Sequence, residues 1–521
     1  MNLSPVAACL CYYVLSLMVS FAFAAPSSFV VPWGTAKFGP DGPWQAVKVT
    51  LGGNDSTIGI KAQNVTEVSV YPGGVWSTKS FTKAACKEYP NSLCGAGGTW
   101  DPDPDQLALQ RIGFTEDWII DEAGLNVSDI RYIALGLTIQ GSTTKTVWNA
   151  SLSTCDIGHI TYPNGIQGGV PLGSLSLGAS EEYQTFSLND RPSDNINAAL
   201  FPAQLHKEGD TPSYSYGLHI GSASFDYPGS LAFGGYNKGR VIGPVTSFRN
   251  ETAVDLLDIG IGVEYGASPF AFDAKEELLS TGTTKALPNP LAPYLSLPGT
   301  TCENIAKLLP VTYDVSLRYY LWNTHDPLYT KIVSSPAYLS FSFPPSPGHT
   351  DNVVIKVPFA LLNLTLEHPI TDSPKQYFPC VPYERGIVLG RAFLQAAFLG
   401  RNWIEGTSWL AQAPGPGPAR EGLGEQYTNI EENDAIIEGF EGEGLFNQSW
   451  AGHWSIVASQ KNNETKPDDT KPEGRTLNGC ESWDWCWCCC WCCCFVWLVR
   501  MGLAERICAL QGHPAAVRDI R

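Results

Sequence analysis

Basic residues are few in this chain of 521 residues. Lys and Arg total 33 against 51 Asp and Glu, a formal charge of −18. Phosphate binding needs a basic face, so this balance argues against a nucleic-acid partner. Histidines are also few, and the eight present (His159, His206, His219, His325, His349, His368, His453 and His513) are scattered. None forms a His-Glu-x-x-His or His-x-His cluster, so no metal site is expected. A Gly-x-Ser-x-Gly context is absent, and Gly221-Ser222 reads as a turn rather than a nucleophile elbow. Glu122, Asp156 and Asp258 are lone acids, read as caps or surface charges. Nothing calls for a cofactor.

Helical periodicity is scarce as well. What replaces it is strand grammar. Trp44 to Leu51 and Tyr338 to Phe343 alternate in polarity and end at Gly or Pro, which predicts a mostly β protein. Gly 51 and Pro 38 supply the turns. The length exceeds one simple core, so two large units are expected.

Residues 6–24 are apolar and end in Ala22-Phe23-Ala24, although no Lys or Arg precedes them. The pattern predicts a secretory signal over 1–24 and an extracellular or cell-surface protein. Eight Asn-x-Ser/Thr sequons follow, at Asn54, Asn64, Asn126, Asn149, Asn250, Asn363, Asn447 and Asn463. Together they suggest a glycosylated surface. The same route permits disulfides. The body holds five cysteines, Cys86, Cys94, Cys155, Cys302 and Cys380, so one is left over.

Two strand-rich stretches are expected, 41–245 and 250–412. Val170-Pro-Leu-Gly173 in the first and Ile387-Val-Leu-Gly390 in the second hint at a duplicated lobe. Pro414 to Pro418 reads as a stiff linker that cannot continue a sheet. Residues 413–479 are read as an acidic, polar, disordered linker: 421–475 carry 12 acidic and 4 basic side chains. Within it, the apolar patch Trp450 to Val457 is a candidate to dock back on the body. Residues 480–503 are rich in Cys and Trp, and 504–521 form a short tail. Three readings of the Cys/Trp run stand. It could bind metal, though contiguous Cys lacks the usual ligand spacing. It could be a palmitoylated anchor. Or it is an out-of-frame translation, since the same TGC and TGG codons shifted by one base encode the Leu and Val of a membrane span. The last two would attach the protein to a membrane or cell wall.

Phe225 to Gly243, with its Gly229-Ser-Leu-Ala-Phe-Gly-Gly-Tyr-Asn237 core, resembles the lobe-closing segment of the pepsin-like aspartic peptidases, in particular secreted or surface-anchored fungal members. Ser213 to Ile220 is similar to that family's preceding strand, and Trp409-Leu-Ala-Gln412 to its final one. Ile387 to Gln395 is similar to its hydrophobic-Leu-Gly-Asp-x-Phe-Leu signature, with Arg391 in place of Asp. Trp44 to Gly53 resembles the strand entering the first lobe, and Cys302 and Cys380 match the second-lobe disulfide. The second expected pair is Cys86 with Cys94, leaving Cys155 over. The resemblance covers about residues 40–413. It implies an all-β, bilobal fold with two similar lobes around a central peptide cleft, and two aspartates sharing one proton between the lobes.

Those aspartates are missing. Counting along the first lobe puts its catalytic loop near Lys61 to Val65, at Gln63 or Asn64; the second falls at Asn289. Asp55-Ser-Thr57 lacks the Gly and lies too early. Ser280-Thr-Gly-Thr-Thr284 matches only under a shifted alignment, again without a carboxylate. Asn can keep a loop's hydrogen bonds but cannot exchange the proton. The resemblance, minus its dyad, implies a monomeric pseudopeptidase that binds extended peptide by strand addition. The alternatives are an active acid endopeptidase with its aspartates elsewhere and a purely structural surface protein with a collapsed cleft.

Overall fold

Strands supply almost all of the order, as the alternation predicts. The computed structural model describes residues 25–53, 65–90, 93–102, 124–186, 196–249, 252–345, 347–417 and 424–457. The remaining residues, the predicted signal and the Cys/Trp tail among them, lie outside the described set. Among the described residues, no helix is long and apolar enough to cross a membrane.

The first lobe is built on a nine-stranded sheet. Its centre runs Thr78–Phe81, Gly173–Ser176, Thr66–Gly74, Val47–Leu51, Leu125–Gln140, Thr144–Thr161. The last two form one long hairpin, from Leu125 opposite Ile160 to Gln140 opposite Thr144.

The second lobe uses smaller sheets of five, three and four strands within 254–389. Ala337–Phe343 shows why it folds this way. Ala337, Leu339, Phe341 and Phe343 are fully buried, while the residues between them are half-buried. The strand pairs antiparallel with Asp258–Val263 on one side and Val353–Pro358 on the other. Period-two alternation therefore puts one whole apolar face into the core. Each such Leu or Phe contributes about 1.5–3 kcal/mol by burial.

A six-stranded sheet joins the two. Its order is Phe29–Val31, Ser230–Phe233, Ser215–His219, Ala397–Asn402, Thr407–Gln412, Ile242–Arg249. Strands from before the second lobe lie beside strands from after it. The segments 213–220, 225–243 and 409–412 singled out in the sequence all contribute to this sheet or to the turns beside it.

The stretch 424–457 departs from the expected disordered linker. Tyr427–Asn429 pairs antiparallel with Gly235–Asn237. Ile430, Ile437, Phe446 and Trp450 are buried, and Trp450 stacks on Trp454 at 5.0 Å. Gly415 and Gly417 donate their N–H groups to Ser449, to the hydroxyl and the carbonyl respectively. The physical reason is spacing. A few apolar residues among many acids are enough to anchor a strap when each finds a pocket, and average composition does not register them. The expected docking of the Trp450 region is part of this strap.

Candidate functional site

Two strands run toward each other from the two lobes. In the second, Thr284–Pro288 lies parallel to Ile387–Leu389, and the turn Asn289-Pro290-Leu291 follows. In the first, Thr66–Gly74 lies parallel to Gly173–Ser176. The two tetrapeptides that looked duplicated hold different places: Val170 to Leu172 precede the short strand that opens at Gly173, whereas Ile387–Leu389 form theirs and Gly390 follows it. Gly73 meets the opposite turn so closely that a Cβ there would stand 2.8 Å from the Cβ of Pro290. Only glycine fits this approach, and its φ of 142° is also a glycine conformation.

Asn289 sits at the end of its strand and is buried. Its N–H donates to Leu389 O at 3.0 Å, and its side-chain oxygen accepts from the N–H of Leu291 at 2.9 Å. Its Nδ2 is buried without a partner. The side chain closes its own turn, as an Asx motif does. Gln63 and Asn64 lie outside the described residues. Gly73 meets the Asn289 turn, Tyr71 and Pro72 share a small void with Pro290, and none of these three first-lobe residues is acidic. Ser280, the start of the other candidate loop, bonds instead to Thr300 and Thr301.

Arg391 dominates the junction. It stands where the signature resembled above would have an acid. Its Nη1 donates to the carbonyls of Pro290 (3.3 Å) and Leu291 (2.8 Å), and its guanidinium lies 4.4 Å from the Tyr71 ring and 4.9 Å from Trp44. Such a planar cation both stacks and donates.

Beside the junction opens a cavity of about 510 Å³. Phe81, Ile130, Val170 and Leu172 line it from the first lobe, and Leu291, Tyr294, Tyr313 and Tyr383 from the second. Its size and largely apolar wall suit a ligand site. Among the described residues, the charged ones in the wall are Lys79, Arg318, Arg391 and one acid, Asp41. Sequence reasoning missed Asp41, because Pro40-Asp-Gly-Pro43 looks like any surface turn. Here it is buried. One carboxylate oxygen accepts from Trp44 Nε1 and the other from the Tyr294 hydroxyl, both at 2.9 Å. Tyr294 also bonds Tyr319, and Tyr377 donates to the Asp41 carbonyl. Burial, helped by the Asp41 charge, pushes the Tyr294, Tyr319 and Tyr377 phenols well above their ordinary range. These tyrosines are therefore donors, and they hold the lone acid in place.

The other predicted residues are placed as follows. Cys86–Cys94 and Cys302–Cys380 are disulfides. Cys155 is buried in the cavity wall and belongs to neither disulfide. Asn149 is exposed; Asn363 and Asn447 are half-buried, and the Asn363 carboxamide oxygen accepts from Tyr329. Asn54, Asn64, Asn250 and Asn463 lie outside the described residues, as does the Asn126 side chain. Asp156 pairs with Arg131, and Asp258 accepts from the Glu277 N–H, so both are structural acids; Glu122 lies outside the described residues. Among the described residues no cluster of His, Cys, Asp and Glu could hold a metal.

No known protein family matches the sequence, and no curated protein matches it. Among solved structures the chain is similar to the aspartic proteinase from Irpex lacteus, at 12% identity over 74% of this chain and 98% of that one, with a TM-score of 0.45.

Proposed function

We propose that this protein is a secreted, glycosylated, pepsin-like protein that has no proteolytic activity and uses the cavity between its lobes to bind an extended peptide. One observation carries the reading. Where the two strand ends meet, Gly73 faces the Asn289-Pro290-Leu291 turn, and the charged group beside them is Arg391. Aspartic catalysis needs two carboxylates close enough to share a proton, one acting on water and the other on the scissile carbonyl. Among the described residues the cavity wall holds one carboxylate, Asp41, with both oxygens already accepting hydrogen bonds. A guanidinium at the junction would also keep any neighbouring acid ionised and defeat proton sharing.

The apolar cavity wall supports ligand binding rather than a purely structural role. Titrating the purified protein at acid pH with a statine-type peptide inhibitor, alongside an acid-denatured protein substrate, tests both parts. Inhibitor-sensitive hydrolysis would overturn the reading. Binding without hydrolysis is the expected result, and neither binding nor hydrolysis would leave a structural protein.

A further inference from the structure

A second, much smaller void of about 10 Å³ lies at the junction itself, lined by Trp33, Gln45, Tyr71, Pro72, Pro290 and Arg391, among others. That is room for one water-sized occupant. Four of these residues carry a buried polar atom with no partner among the described residues: Trp33 Nε1, Gln45 Oε1, Tyr71 OH and Arg391 Nε. Only twelve side-chain atoms among the described residues are stranded in this way, so four around one void is a concentration. Buried polar groups left unpaired are costly, and an occupant would recover that cost.

We propose that this void is a binding site for a small spherical monovalent anion of the chloride class. Three of the four stranded atoms are donors, and one belongs to a cation. Arg391 is 7% exposed and Tyr71 8%, and among the described residues no carboxylate lies within ion-pair reach of Arg391. A buried cation without a counter-ion favours an anion. Burial also raises the Tyr71 phenol above its ordinary range, so it keeps the proton it would donate. Among the described residues no hydrogen bond fixes the Gln45 carboxamide, so a half-turn about its last bond presents N–H in place of oxygen. The nearby acid, Asp41, does not line the void, and its oxygens are engaged by Trp44 and Tyr294. The site goes beyond the proposed peptide binding: it places an anion between cationic and neutral donors at the junction of the two strand ends.

Crystals of the full chain grown in bromide test the site directly. An anomalous peak in the void is expected; an ordered water there with no anomalous signal overturns the proposal. In solution, the thermal midpoint should rise and saturate with chloride or bromide, compared with gluconate at equal ionic strength. Tyr71→Phe keeps the ring over Arg391 and removes one donor, and it should weaken that halide response about tenfold. Equal midpoints in chloride and gluconate for the wild-type chain would overturn the proposal. None of these readouts depends on hydrolysis or on inhibitor binding, so they stand or fall separately from the proposed function.

Discussion

The two strand ends that meet at the centre are alike in architecture and different in chemistry. Each follows a strand laid parallel to a short neighbour, next to an apolar tetrapeptide closing on glycine. The first presents Tyr71 and two glycines. The second presents Asn289, Pro290 and Leu291, braced by Arg391. The backbone needs of the junction, close approach and a closed turn, are met on both sides. None of these residues is acidic. Packing and hydrogen bonding hold this backbone with no carboxylate among the residues named.

The two lobes also differ in how they are stapled, and removing each staple gives the largest expected effect. Cys302–Cys380 closes 78 residues and Cys86–Cys94 closes 8. By loop entropy, replacing the first pair with Ser should cost about 4.5 kcal/mol and the second about 2.5 kcal/mol. Urea unfolding of the two double variants measures the gap, and equal losses would show that strain or residual structure outweighs loop length.

The paired glycines come next. A Cβ at Gly390 would meet the carbonyls of Tyr294 and Ala292 at 2.4 and 2.5 Å, and one at Gly173 would press into the carbonyl of Lys79. Gly390→Ala and Gly173→Ala should each destabilise by about 3 kcal/mol, since backbone must move in both. Gly282, at positive φ with open space around it, should lose only about 1 kcal/mol as Ala. A mild Gly173 variant beside a severe Gly390 one would show that the backbone yields more readily at the first of these close approaches.

The joining sheet can be compared with both lobes through pH. His219 is buried in it. Burial, and then the Arg240 charge, lower its pKa to about 3, against the hydrogen bond to the Gln395 carbonyl. Between pH 6.5 and 3 the unfolded chain binds a proton that the folded chain does not. Stability from this residue is thus fully present above pH 6.5, falls as the pH drops toward 3 and levels off below. The loss is on the order of a few kcal/mol. His219→Gln should flatten that slope in denaturant midpoints measured from pH 7 to 4. An unchanged slope would place the acid sensitivity elsewhere.

The smallest expected effect is none at all. Asn289→Asp restores one carboxylate opposite a glycine, and a single acid makes no dyad. Assayed with an acid-denatured protein, this variant should hydrolyse nothing, like the parent chain. Cleavage would show a second acid at the junction.

Much of this was legible in the chain. Period-two alternation in Tyr338–Phe343 announced a strand with one buried face, because side-chain direction follows directly from strand geometry. Asn289 was picked out by the resemblance to the pepsin-like pattern around Leu297-Pro298 and Cys302, and the structure puts it at the end of a strand. Arg391 was legible as an oddity within Ile387 to Gln395. Asp41 was not, and neither was the strap over 424–457. Both depend on partners far away in sequence: Asp41 on Tyr294 and Tyr377, the strap on Gly235–Asn237 and on the pockets that take Trp450 and Ile437. By itself the sequence determined strands, turns and disulfide candidates, because these follow from local stereochemistry and spacing. Only the tertiary structure decided what stands at the junction, because burial and the pairing of charges arise when residues hundreds of positions apart are brought within hydrogen-bond reach.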